Sequence, residues 1–135
     1  MRRLALLLLL ALGCESFGPA IPEALVPFRY QDNPLGNNTA EYYPQWWAAM
    51  EACSGLHRSI DHLEWLYWPA EAGRYIPTGE EHVVGHYDRG RDAIWIVERG
   101  LTHQTWIEHE MLHALLPEPG HHQAAWDRCG VRLGQ

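Results

Sequence analysis

Apolar residues recur along this chain in short, well-separated runs, and each run predicts an element. From Pro44 to Cys53, the residues Trp46, Trp47, Met50 and Cys53 return at three- and four-residue spacing, which is the stripe of a helix packed on a core. Pro44 suits the first helical position, and Gly55 suits the position just past the end. Leu63-Glu64-Trp65-Leu66-Tyr67-Trp68 is short, aromatic and stopped by Pro69, which predicts a strand. Tyr75-Ile76-Pro77 predicts another short extended piece. Two runs rich in β-branched residues, 82–87 and 93–98, flank a charged turn over 88–92 that contains Gly90, the pattern of a hairpin. The last element is helical. Ile107, Met111, Leu112, Leu115 and Leu116 keep the helical period, and Thr105-Trp106-Ile107-Glu108 reads as a capping box at its start. Pro117 and Pro119 end it, and Gly120 allows the chain to reverse.

A different pattern opens the chain. Arg2 and Arg3 precede an unbroken apolar run from Leu4 to Leu12, far short of the roughly 20 residues that span a bilayer. Residues 1–13 are therefore expected to be a secretory signal. Residues 14–38 are rich in Pro, Gly and Asn and have no apolar period, which suggests a tether or irregular arm. Residues 39–135 remain for a single domain. A hydrophobic share of 47% over 135 residues suits one globular unit and excludes a disordered chain. The net charge of −7 becomes −9 once Arg2 and Arg3 are removed. That excludes a nucleic-acid surface and electrostatic adhesion to a membrane.

The apolar run closes on Gly13-Cys14, and here the chain resembles a bacterial lipoprotein signal. The resemblance implies lipidation of Cys14 and an exported protein anchored to a membrane of the cell envelope, on its periplasmic or extracellular face. An ordinary cleaved signal, with Cys14 lost or left as a free thiol, is the alternative. With Cys14 lipidated, Cys53 and Cys129 are an even pair in an oxidising compartment, and a disulfide between them is expected. A competing use of Cys129 as a zinc thiolate would leave Cys53 unpaired.

The chemistry lies among the histidines, nine in number, five of them between His103 and His122. His109-Glu110-Met111-Leu112-His113 places two imidazoles one turn apart on one helix face, where they can share one Zn2+ per chain. Zinc lowers the pKa of a coordinated water to ~7, and Glu110 is placed to act as general base on it. Catalytic zinc takes three protein ligands, and the reversal at 117–120 can bring back a third imidazole from His121 or His122. The bland alternative is a pair of surface histidines on an acidic helix.

At this point the sequence resembles a family. His109-Glu110-Met111-Leu112-His113, then Gly120-His121, Trp126 and Cys129-Gly130, together with Cys53-Ser54-Gly55 upstream, resemble small bacterial zincin-like (HExxH) metallopeptidase lipoproteins. The resemblance implies His109, His113 and His121 as zinc ligands and Glu110 as the base. It departs from the metzincin pattern at Leu116, where that turn has glycine, and no Met-turn follows. His122 stands where the relatives often have proline, so it competes for the third ligand, with Glu118 a weaker contender. The implied fold is α+β and zincin-like: a small mixed β-sheet packed against the active-site helix, plus an N-terminal helix. Residues 82–87 would be the antiparallel edge strand lining the cleft, where an extended peptide could pair. His82, His86 and Tyr87 read as ordinary strand residues, with an oxyanion-stabilising role as the alternative. The expected protein is a monomeric, exported zinc peptidase acting on a peptide or protein substrate. Two other readings are a non-catalytic zinc-binding or structural lipoprotein and an aromatic-rich wall-binding module.

Overall fold

Every residue of the run Ala93–Val97 is buried, and that marks it as a central strand covered on both faces. The computed structural model describes residues 21–79 and 81–133. The expected signal segment and Cys14 lie outside the described residues. Strands β1 (Val26–Phe28), β2 (Glu64–Trp68), β5 (Gly85–Asp88) and β6 (Ala93–Val97) form a sheet in the order β1-β2-β6-β5. β2 and β6 run parallel, whereas β1 and β5 pair antiparallel at the two edges, so the sheet is mixed. Strands β3 (Ile76–Thr78) and β4 (Glu81–Val83) make a separate antiparallel pair. Helices α1 (Thr39–Ser54), α2 (Gln104–Leu115) and α3 (Ala125–Cys129) complete an α+β fold. Among the described residues, no helix is long and apolar enough to cross a membrane.

Alternation along the strands divides the core in two. Trp65, Ile94 and Ile96 face the helices and pack with Tyr43, Trp47, Ile107, Met111 and Leu112. Leu66, Trp68, Ala93, Trp95 and Val97 face the other way, into a smaller cluster with Leu25 and Ile76.

Four expectations change. Part of the arm over 14–38 is built into the fold, because Val26–Phe28 pairs with β2 and Tyr30 is buried in the main core. Pro27 hid this strand, yet an edge strand tolerates proline. α1 begins at Thr39 rather than Pro44. The Thr39 hydroxyl donates to the Tyr30 carbonyl at 2.7 Å, and the fully buried Tyr43 donates to the Leu101 carbonyl at 3.0 Å. These anchors offset the helix hydrogen bond that Pro44 cannot make. The run 82–87 divides at Val84: residues up to Val83 pair with β3, and those from Gly85 pair with β6. Lastly, α2 has no capping box. Its cap residue is His103, whose ring stacks on Trp106 at 4.2 Å, and Glu108 accepts from the Gln104 amide at 2.9 Å instead.

Candidate metal centre

The sequence of α2 puts Ile107, Met111 and Leu112, all fully buried, toward the sheet. The remaining face carries His109, Glu110 and His113. His109 is 7% exposed, and its Nδ1 lies 2.8 Å from the Val131 carbonyl. A carbonyl only accepts, so Nδ1 carries the proton and Nε2 presents a lone pair. That lone pair points at the returning loop. His121 Nε2 lies 3.2 Å from His109 Nε2 and 3.1 Å from His113 Nε2. The three ligand atoms all fall within 4.8 Å of one another, so this set could hold a metal ion. Metal–nitrogen bonds of the usual zinc length, in tetrahedral geometry, put neighbouring nitrogens about 3.3 Å apart. The two distances from His121 fit that arrangement.

The loop that delivers His121 has its own scaffold. Trp126, fully buried, packs its indole against all three imidazoles, with centroids 4.8, 4.6 and 4.5 Å from His109, His113 and His121. Its N–H donates to the Gly120 carbonyl at 3.1 Å and to Gln123 Oε1 at 3.0 Å, fixing the turn just before His121. A disulfide joins Cys53 at the end of α1 to Cys129 at the end of α3. Arg128 strengthens the junction by donating to the Cys53 and Ser54 carbonyls, each at 3.1 Å. The chain then turns through Gly130, at φ 67°, and presents the Val131 carbonyl to His109.

Burial sets the protonation states. It lowers the pKa of His109 against the opposing pull of the Val131 hydrogen bond, with His121 adding to the lowering. It lowers His113 further, to about 3, helped by His109, His121, Arg89 and His86. Neutral imidazoles are the form that binds a metal. Glu110 moves the other way: burial raises its carboxyl to about 8, partly offset by a hydrogen bond from the Tyr87 backbone N–H. Its place depends on Gly85, where a Cβ would stand 2.8 Å from Glu110 Oε1 and 3.0 Å from its Cγ.

These groups open onto a cleft of about 390 Å³ whose wall includes Gly85 and Tyr87 of the edge strand β5. The structure brings together His109, His113, His121 and Glu110 but leaves other candidates aside. His122 sits 3.3 Å from Glu118, both exposed and away from the cluster. Cys129 is taken by the disulfide and is no thiolate ligand. His82 is exposed on β4, opposite Pro77. His86 borders the cleft but tilts onto Trp95 at 5.0 Å, and burial lowers its pKa against the pull of Asp88 and Glu81. The Tyr87 hydroxyl is committed to Asp92 at 2.7 Å, so Tyr87 meets Glu110 through its backbone.

Sequence reasoning missed Gly85, Val131 and Arg89. Arg89 donates to the carbonyls of His113, Leu116 and Pro117 at 3.2, 3.0 and 3.2 Å, closing the C-terminal end of α2. Nothing in a local pattern signals that contact; only the charged turn that carries Arg89 was visible. Comparison with known proteins gives no match to this chain from any family model, curated protein or solved structure.

Proposed function

We propose that this chain is a zinc-dependent peptide hydrolase, with His109, His113 and His121 as ligands and Glu110 as general base. The observation that carries the reading is the convergence of three imidazole nitrogens beside a buried carboxyl at the wall of one cleft. An all-imidazole donor set suits zinc and other borderline metals rather than magnesium or calcium. When bound, the metal supplies Lewis acidity toward a water and toward a substrate carbonyl.

The protein's own groups do the rest. The Tyr87 N–H orients the Glu110 carboxyl, which takes a proton from the attacking water and returns it to the departing amine. A nearby dication favours the ionised carboxylate, bringing a group that sits near 8 on its own down into the working range. β5, as an antiparallel sheet edge beside the cleft, offers backbone groups to an extended peptide. The mixed sheet against the active-site helix supports the zincin-like reading, and Cys14 is proposed to anchor the exported chain through lipid. A closed four-ligand structural site that used both His121 and His122 is disfavoured by the His122 ring, which lies against Glu118.

Metal analysis of the purified protein is expected to give one zinc per chain. Glu110→Gln should keep that zinc and lose peptide hydrolysis by at least about a hundredfold, the usual scale of a general base. His113→Ala should lose the zinc itself. A protein without stoichiometric zinc, or a Glu110→Gln variant as active as the parent, overturns the proposal.

A further inference from the structure

Glu81 and Val83 of β4, Gly85, His86 and Tyr87 of β5, and Arg89 in the turn that follows all line the cleft. The chain bends at Val84 between the two strands, and Gly85 stands against Glu110. An acid and a guanidinium therefore both border the cleft, Glu81 before Gly85 in the chain and Arg89 after it. Both side chains belong to exposed residues, and neither forms an ion pair among the described residues. The three hydrogen bonds of Arg89 all go to carbonyls, so its charge is not neutralised. The other acid of this stretch, Asp88, pairs with Arg91.

We infer that this wall selects an extended peptide with opposite charges on the two sides of the cleaved bond. Antiparallel pairing is the more stable edge arrangement. A peptide running antiparallel to β5 brings an acidic residue, N-terminal to the bond, toward Arg89 in the turn after β5, and a basic residue, C-terminal to it, toward Glu81 on β4. Between these two charges the wall carries Val83, His86 and Tyr87. The inference rests on the hydrolase reading for the position of the bond, but the charge preference is a property of binding and is measurable without turnover.

The test uses the zinc-loaded Glu110→Gln protein and fluorescent peptides that share an apolar centre. One carries Asp on the N-terminal side and Arg on the C-terminal side, a second has these two exchanged, and a third has neither. The first is expected to bind about tenfold more tightly than the second, the scale of two partly exposed ion pairs and their reversal. The preference should shrink with added salt. Glu81→Lys, a change at an exposed position, should remove the preference for Arg and favour Asp in its place. Equal affinities, or tighter binding of the exchanged peptide, overturn the inference. A charge preference in binding with no cleavage by the parent protein instead overturns the hydrolase reading and leaves the recognition wall standing. Cleavage of all three peptides at equal rates does the reverse.

Discussion

His109 and His113 stand on a helix whose opposite face is locked into the main core, whereas His121 arrives on a loop with no regular structure of its own. The two halves of the site are held by different physics. On α2, hydrophobic burial and the helical period place two imidazoles and a carboxyl together, so any force that keeps the helix on the sheet keeps the ligands in register. On the return loop, position is assembled from single contacts: the Trp126 indole beneath the three rings, its N–H on Gly120, the Cys53–Cys129 bridge, and Arg128 on the end of α1. The halves meet where Val131, at the end of the loop segment, orients His109 on the helix. A site divided in this way should break in parts.

The largest break is expected from removing the bridge. Cys53→Ser with Cys129→Ser opens a closure across 76 residues, for which chain entropy gives about 4 kcal/mol of stability. Denaturant unfolding measures that loss, and isothermal titration should show zinc affinity falling as the loop loosens. A double variant that unfolds at the parental denaturant midpoint would show that the loop does not depend on the bridge. Next is Gly85→Ala, which acts on the helix half. A methyl group placed 2.8 Å from Glu110 Oε1 must displace the carboxyl. We expect kcat to fall by about a hundredfold, the worth of a well-placed base, while zinc affinity is unchanged. Loss of zinc in this variant would mean that β5 supports the ligands as well as the base.

Smaller again is Gly130→Ala. Its left-handed backbone, φ 67°, has open space around the position, so the penalty is conformational, about 1 kcal/mol. The consequence should appear at the Val131 carbonyl as a roughly tenfold loss of zinc affinity, the lower end for a group that orients a ligand. Unchanged affinity would uncouple the two halves.

The finest distinction is in pH. In the metal-free protein His113 titrates near 3 when folded and at 6.5 when unfolded, so the unfolded chain takes up the proton first as pH falls. Stability from this group is full above 6.5 and is lost as pH drops toward 3. His109 acts in the same direction. Glu110 acts oppositely. Its folded value, about 8, lies above the ordinary 4.5, so stability is full below 4.5 and is lost as pH rises toward 8. Metal-free protein should therefore be most stable between about pH 4.5 and 6.5, as read from thermal midpoints across a pH series. Saturating zinc should move that maximum upward, because a dication favours both neutral imidazoles and an ionised carboxylate.

The same division explains what the sequence disclosed. The His109-Glu110-x-x-His113 face, the strand 64–68 and the strand ending the hairpin were legible because burial imposes a period on residues close in the chain. His121 was one of two adjacent candidates, and no spacing rule separates it from His122; the choice depends on which ring the turn at Gly120 aims inward. The pairing of Cys53 with Cys129 followed from counting, not from geometry. Gly85, Arg89 and Val131 were illegible because each acts through the backbone or across more than twenty residues. β1 escaped because three residues with a central proline make no pattern, and only their pairing with β2 defines them as a strand. The start of α2 was misplaced by a local motif that lost to a ring stack and a side-chain pair beginning one to two residues earlier, at His103 and Gln104.

Trp126 adds an optical consequence to its structural one. An indole packed within 5 Å of three imidazole centroids shares its excited state with groups whose charge and motion change whenever a proton or a cation reaches them. The native chain thus carries its own fluorophore at the point of assembly. Set against a Trp126→Phe reference to subtract the other six tryptophans, its emission should follow ligand-by-ligand closure of the centre in real time, with no label attached.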